Sequence, residues 1–244
     1  MLIDAHCHLA NLSSKYLLST LLDEAQLYGI EAYLSNALTK EEARIYQELN
    51  DKRIKFSAGV HPNFDECDLE VEDVVRLAEQ KQIWAVGEIG VDRYGPPFPQ
   101  QQALFEAQLK IASDFGLPVV LHIVGFQTEA WQIMRKFPLR YLIHGYAGSL
   151  PAFELFAKQD NIWFTISERI LRLDKTELLQ ATIDSGKYLF ETDITAQYAQ
   201  AKELNPLLRL VVLLSRVERF SRIPHSELLQ VQADNYQQLL DFSL

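Results

Sequence analysis

The sequence has few cysteines, no long apolar run and no excess of basic residues, and each shortage excludes a class of protein. Its two cysteines, Cys7 and Cys67, can form one disulfide at most, which excludes a scaffold built on disulfides. No apolar run approaches the roughly 20 residues of a membrane-spanning helix. The N-terminus also lacks the basic start and apolar core of a secretory signal. We therefore expect a cytoplasmic protein with no membrane attachment.

Positive charge is the scarcest feature of the composition. The chain has 23 Lys and Arg residues against 33 Asp and Glu residues, a formal net charge of −10. This balance excludes a protein that holds nucleic acid through a broad basic surface. Any binding of phosphate groups must therefore rely on positive charge that is supplied locally.

The 244 residues, 48% of them hydrophobic and 23% charged, have the composition of an ordered globular protein. Short apolar runs rich in β-branched and aromatic residues predict eight strands, and segments of helical pattern separate most of them. The predicted strands cover residues 2–9, 31–37, 55–61, 83–91, 118–124, 139–146, 161–167 and 188–194. The predicted helices cover residues 15–28, 40–49, 69–80, 100–115, 129–137, 150–158, 204–220 and 226–242.

Eight β-α units in about 250 residues predict an α/β fold of the (β/α)8 TIM-barrel type. A doubly wound open sheet is the competing fold, but no G-x-G-x-x-G motif follows the first strand. No linker, low-complexity tract or internal repeat divides the chain. We therefore expect residues 1–244 to form a single barrel domain.

The first predicted strand contains two histidines at alternate positions. Regular alternation places Asp4, His6 and His8 on one face of the strand. Two imidazoles about 7 Å apart on one face can converge on a single cation. A lone histidine in a strand is more often a hydrogen-bonded core residue, but a pair on one face favours a metal site.

Further polar residues fall at the ends of other predicted strands. Glu88 lies near the end of the fourth strand in an apolar run, where an unpaired carboxylate costs several kcal/mol. His122 and His144 lie on the fifth and sixth strands, and Glu191 and Asp193 share a face at the end of the eighth. Because barrel active sites form at the carboxyl ends of the strands, we expect these side chains to converge. Such a donor set is sufficient for two divalent ions and metal-assisted hydrolysis.

The order and spacing of these residues resemble the TatD-like metal-dependent deoxyribonucleases, a family of amidohydrolase-type barrels. The resemblance spans nearly the whole chain. The motifs that carry it are DAHCHL at 4–9, GVHP at 59–62, GEIGVD at 87–92, PVVLH at 118–122, HGYAGS at 144–149 and ETD at 191–193.

The resemblance implies hydrolysis of DNA phosphodiester bonds with two divalent metal ions, such as Mg²⁺, Zn²⁺ or Mn²⁺. The implied ligands of one ion are His6, His8 and Asp193, those of the other are His122 and His144, and Glu88 bridges both. Asp193 and Glu88 are the implied catalytic residues, with Asp193 also accepting a proton from the attacking water. His61 is expected beside the site, next to the phosphate.

The sequence departs from the family at positions expected to contact substrate. Ile123-Val124 stands where the family usually has a Ser-Arg pair, and Ile194-Thr195 stands where it usually has Ser-Pro. We expect Arg93, and less strongly Arg169, to replace the lost phosphate contact, because both follow strands at the catalytic end. The aromatic side chains expected to stack on bases are Tyr94, Phe98, Phe126 and Tyr146.

Three functional hypotheses remain open at this point. The first is a monomeric phosphodiesterase that acts on DNA strand ends. The second is an amidohydrolase-type enzyme that cleaves a small molecule unrelated to nucleic acid. The third is a divergent family member with reduced activity, whose role is binding. Metal analysis separates the enzymes from a binding protein, since a binding protein has no need of near-stoichiometric metal.

Overall fold

Each of eight parallel strands pairs with the next strand along the chain, in one sheet. The computed structural model describes residues 1–172, 174–200 and 203–241. The strands are β1 (Leu2–Cys7), β2 (Ile30–Ala37), β3 (Ile54–Ala58), β4 (Val86–Asp92), β5 (Val119–Val124), β6 (Tyr141–Ile143), β7 (Ile162–Ile166) and β8 (Tyr188–Phe190).

Backbone hydrogen bonds beyond the end of β8 close the sheet against β1. Asp193 N–H donates to His6 O at 2.9 Å, and His8 N–H donates to Ile194 O at 3.1 Å. The prediction of a (β/α)8 TIM barrel is therefore confirmed. The same two bonds bring residues from the two ends of the barrel sequence into direct contact.

Helices surround the barrel and connect its strands. They are α1 (Leu9–Leu12), α2 (Leu18–Leu27), α3 (Lys40–Leu49), α4 (Val71–Glu79), α5 (Phe98–Phe115), α6 (Gln127–Met134), α7 (Leu150–Ala157), α8 (Glu168–Arg172), α9 (Thr176–Asp184), α10 (Arg209–Ser221) and α11 (His225–Leu240). None of these helices, within the described ranges, combines the length and the apolar character needed to cross a bilayer.

The helices depart from the sequence-based expectation in several places, and α1 at Leu9–Leu12 is one that was not predicted. No helix is predicted between the last two strands, but α8 and α9 lie there. The helix predicted from residue 204 begins at Arg209, because Asn205 first caps a 3₁₀ turn over Pro206–Leu208. The predicted end of the last helix, Phe242, lies outside the described residues.

An apolar cluster fills the interior of the barrel below the polar residues. Val120, Leu142 and Leu189, from β5, β6 and β8, belong to this cluster, and α11 packs against it. Because side chains alternate along a strand, the next interior positions toward the carboxyl end are His122, His144 and Glu191. The barrel therefore sets its polar residues on an apolar floor at the carboxyl end of the strands.

Candidate active site

The Glu88 carboxylate, on β4, lies among five imidazole rings and is 3% exposed. Its Oε1 atom is close to three ring nitrogens: His144 Nε2 at 2.6 Å, His122 Nδ1 at 3.0 Å and His61 Nε2 at 3.2 Å. Its other oxygen, Oε2, faces two further ring nitrogens: His6 Nε2 at 3.4 Å and His8 Nε2 at 3.8 Å. The two oxygens of one carboxylate therefore face two different sets of imidazoles.

Asp193, just after β8, completes the set that contains His6 and His8. Its Oδ1 atom lies 3.6 Å from the Nε2 atoms of both histidines. Its side chain is 38% exposed whereas that of His6 is fully buried, so Asp193 lies on the solvent side of the cluster. Asp193 adopts a φ of 52°, in the left-handed region, where a non-glycine residue costs about 1–3 kcal/mol.

Burial and charge act in opposite directions on the pKa values of these groups. Burial would raise the pKa of Glu88, but the charges of the surrounding imidazoles lower it well below its usual range. Burial and the charge of His144 lower the pKa of His6 to about 4. Burial would also lower the pKa of His8, but its contact with Asp193 and the charge of Glu88 raise it to about 9. Glu88, at the centre of the cluster, is therefore ionised at neutral pH.

Two polar side chains that were not predicted contact the outward nitrogens of these rings. His122 Nε2–H donates to Asp92 Oδ2 at 2.8 Å. The side-chain amide nitrogen of Asn36 lies 3.1 Å from His6 Nδ1. Their positions in the sequence could have indicated them, because Asp92 ends β4 and Asn36 lies near the end of β2. The active-site residues of barrels lie at these strand ends.

Glu191 is completely buried beside the cluster. The prediction places it on a common face with Asp193, but its Oε2 atom lies 3.9 Å from His144 Nδ1, beyond hydrogen-bonding distance. Burial raises the pKa of this carboxyl well above its usual range. Glu191 therefore borders the imidazole cluster without belonging to it.

Asp4 also lies outside the cluster, although the predicted alternation places it on one face with His6 and His8. The pairing register between β1 and β2 shifts between Asp4 and Cys7, so the regular alternation is interrupted. Asp4 instead accepts hydrogen bonds from Thr192 N–H at 3.0 Å and Thr192 O–H at 2.6 Å. These bonds anchor the segment that carries Asp193.

The structure places the two predicted phosphate-binding arginines on the surface. Arg93 follows β4, and its Nη2–H donates to the Tyr94 hydroxyl at 2.8 Å. The Arg93 guanidinium carbon also lies 4.8 Å from the centre of the Tyr94 ring, and this ring is 69% exposed. Arg169 is exposed on α8. Arg93 and Tyr94 therefore form an exposed pair with a cation and an aromatic face, here called the rim pair.

The structure buries Tyr146, a predicted substrate contact, in the core. Tyr146 is 4% exposed, and its hydroxyl donates to Ser149 O at 3.0 Å. Its ring packs edge-on against Phe164, with 5.8 Å between ring centres. Phe98 and Phe126 are half-buried and pack against each other at 4.9 Å. Three of the four aromatic side chains expected to stack on bases are therefore packed against other apolar residues, and only Tyr94 is exposed.

The ligand atoms of this cluster fit divalent metal ions. Imidazole nitrogens and carboxylate oxygens are donors that suit zinc, manganese and similar ions. Three groups have ligand atoms within 4.8 Å of one another: His6, His8 and Asp193; His6, Glu88 and His144; and His61, Glu88 and His122. All six predicted ligands are thus brought together, and His61 lies beside them.

The family model for TatD related DNase matches residues 3–241. The chain belongs to the family of TatD-related DNases. The metal-dependent hydrolase YjjV of Escherichia coli K12 is 29% identical to it over 204 residues, 78% of each chain. The crystal structure of YjjV, a TatD homologue, matches with a TM-score of 0.83 at 26% identity, covering 98% of this chain and 97% of that chain.

A further relative is named for its substrate. The 3'-5' ssDNA/RNA exonuclease TatD of Pantoea ananatis is 36% identical over 103 residues, which is 41% of this chain and 40% of the relative. Family membership makes this chain a TatD-family metal-dependent hydrolase.

Proposed function

We propose that this TatD-family protein hydrolyses phosphodiester bonds at single-stranded ends of nucleic acid, using divalent cations at two positions on either side of Glu88. The observation that carries the proposal is the division of imidazoles between the two oxygens of Glu88. The residues assigned to one position are His6, His8 and Asp193 with Glu88 Oε2, and those assigned to the other are His122 and His144 with Glu88 Oε1.

Asp193 is the group we assign to accept a proton from the attacking water. Divalent cations, when bound, supply Lewis acidity and neutralise charge on a phosphoryl group. Burial would raise the pKa of Asp193, but its contact with His8 and the charge of His6 lower it to about 2, so this carboxylate is ionised at neutral pH. It is also the most exposed member of its set, where water can reach it.

His61 is assigned a hydrogen-bonding role toward the phosphate. The Asn63 backbone N–H donates to His61 Nδ1 at 2.9 Å, so the proton of the neutral ring lies on Nε2. That Nε2 atom faces Glu88 Oε1 at 3.2 Å. His61 therefore offers a donor to an anion at the site rather than a lone pair to a metal ion.

Single-stranded ends are the substrate that best fits the surface of the protein. The rim pair of Arg93 and Tyr94 offers one cation and one aromatic face, which suits a single nucleotide rather than a long duplex. The net charge of −10 opposes binding along an extended groove. The name of the Pantoea relative supports attack at 3' ends of single-stranded DNA or RNA.

The alternative substrate is a small molecule unrelated to nucleic acid. Two observations favour it: the replacement of the Ser-Arg pair by Ile123-Val124, and the burial of Tyr146. Both remove contacts that a nucleotide would use. The ligand cluster itself suits hydrolysis of amides and esters as well as phosphodiesters.

One assay set separates these possibilities. Purified protein loaded with Mg²⁺, Mn²⁺ or Zn²⁺ is incubated with 5'-labelled single-stranded DNA and RNA, and in parallel with small phosphodiesters and amides. We expect stepwise shortening from the 3' end. Cleavage of amides alone would establish the alternative, and near-stoichiometric metal without any cleavage would indicate a member with reduced activity.

Asp193→Asn is the matched variant for this assay. We expect it to fold and to bind metal normally or weakly, but to lose about 10²–10⁴ in rate, the usual contribution of a general base. Turnover at the wild-type rate by a metal-replete Asp193→Asn protein would reject the base assignment.

A further inference from the structure

Asp92 is held rigidly behind one of the assigned metal ligands. It ends β4 and is 5% exposed. Its backbone N–H donates to Gln101 Oε1 at 2.7 Å, and Gln101 Nε2–H donates to Asp92 O at 2.7 Å. Its Oδ1 atom accepts the Tyr94 backbone N–H at 2.8 Å, which leaves Oδ2 for His122. The position of this carboxylate is therefore set from the α5 helix and from its own strand.

This contact decides which face of the His122 ring is available. With Nε2 bonded to Asp92 at 2.8 Å, the Nδ1 atom is turned toward Glu88 Oε1 at 3.0 Å and His144 Nε2 at 3.2 Å. His6, His8 and His144 all present Nε2 to Glu88 instead. Because Nδ1 lies next to the Cβ atom, a ring that ligates through it tolerates little rotation.

The outward nitrogens of two other assigned ligands have weaker support. His6 Nδ1 contacts the neutral amide of Asn36 at 3.1 Å. His144 Nδ1 lies 3.9 Å from Glu191, too far for a hydrogen bond. A charged, well-aligned acceptor thus stands behind His122 but not behind these two rings.

We propose that Asp92 is a positioning residue that orients His122, keeps its proton on Nε2 and so leaves the Nδ1 lone pair for a divalent cation. The inference rests on the metal site assigned under the proposed function. A carboxylate behind a ligating imidazole fixes the ring and increases its electron donation, and loss of such a partner typically costs 10–100-fold in metal affinity. Asp92 also joins the metal site to the rim, since its other oxygen holds the backbone of Tyr94.

The test measures metal affinity without substrate, by competition with a chromophoric chelator for Zn²⁺ and Mn²⁺. Asp92→Asn keeps the volume and one acceptor but removes the charge, and Asp92→Leu removes both. We expect Asp92→Asn to weaken the binding of one ion by about 10–100-fold, and Asp92→Leu to weaken it at least as much. Wild-type affinity in folded Asp92→Asn protein would overturn the inference, whether or not Asp92→Leu folds.

Asp73→Asn is the matched control for a buried aspartate outside the site. Asp73 is 6% exposed and belongs to the capping box of α4. This variant is expected to lower the melting temperature while leaving metal affinity unchanged. An equal loss of metal affinity in Asp73→Asn would show that the effect of Asp92 is general destabilisation, and would also overturn the inference.

A spectroscopic readout follows the ring itself. Long-range ¹H–¹⁵N spectra of the zinc-loaded protein are expected to show His122 with a protonated Nε2 and a metal-shifted Nδ1, and Asp92→Leu is expected to lose this pattern. Since affinity is read without substrate, a wild-type protein that binds metal but cleaves nothing refutes the proposed function and leaves the Asp92 comparison intact. A wild-type protein that binds no metal overturns both.

Discussion

The substitution Gly90→Ala tests whether close packing of β4 against β5 positions the metal site. Gly90 pairs with His122 across these strands and has a φ of +142°. A Cβ atom added there would lie 2.1 Å from His122 O, whereas ordinary contacts begin at 3.4 Å. The two strands must therefore separate by about 1.3 Å, and His122 must move with its carbonyl group.

The size of the effect follows from these distances. Overpacking costs about 1–3 kcal/mol, and a side chain at positive φ costs about 1–3 kcal/mol more. The total of about 2–6 kcal/mol corresponds to a fall of roughly 4–24 °C in melting temperature for a chain of this size. A displacement of about 1 Å in a catalytic group costs about 100-fold in rate, so we expect metal affinity and turnover to fall together.

We would measure thermal unfolding by circular dichroism, together with metal affinity and the rate of hydrolysis. Gly116→Ala is the control. Gly116 has a φ of +66° after α5, but a Cβ atom there would meet nothing within 4 Å. The substitution Gly116→Ala should lower the free energy of unfolding by about 1 kcal/mol and leave metal affinity unchanged. A Gly90→Ala protein that melts and binds metal like wild type would refute the packing argument.

Three further outcomes are expected. Glu88→Gln should keep the fold but bind metal poorly and lose at least about 100-fold in rate, because Gln preserves the volume of the side chain but not its charge. A wild-type rate in this variant would contradict the bridging role of Glu88. Dialysis against a chelator should abolish hydrolysis and lower the melting temperature, because an ion at 100 times its Kd stabilises by about 2.7 kcal/mol; unchanged hydrolysis in metal-free protein would count against the site. The rate of oligonucleotide cleavage should fall only gently as salt concentration rises, with a slope that corresponds to on the order of one to three phosphate contacts. Arg93→Ala should slow the cleavage of oligonucleotides but not the cleavage of a small phosphodiester. A steep salt dependence, or no effect of Arg93→Ala, would favour the small-molecule substrate.

The strands and the convergence of their polar side chains could be predicted from the sequence, and the reason is local. A strand shows its buried run and its alternation within its own residues, so Val120 and His122, two positions apart, reveal both the apolar floor and the polar residue above it. Barrel topology then brings the carboxyl ends of all strands to one face, which is why His6 and Glu88 could be expected to meet although they lie far apart in sequence.

Only the tertiary structure decided which atoms meet and which side chains are left to contact a substrate. His122 contacts Asp92, 30 residues away, and Asp4 contacts Thr192, 188 residues away, because the register of β1 shifts. Tyr146 became a core residue because α7 and β7 present phenylalanines to its ring. Periodicity along one strand reports burial, but the partners of a buried polar group come from other strands, and no pattern within a single segment specifies them.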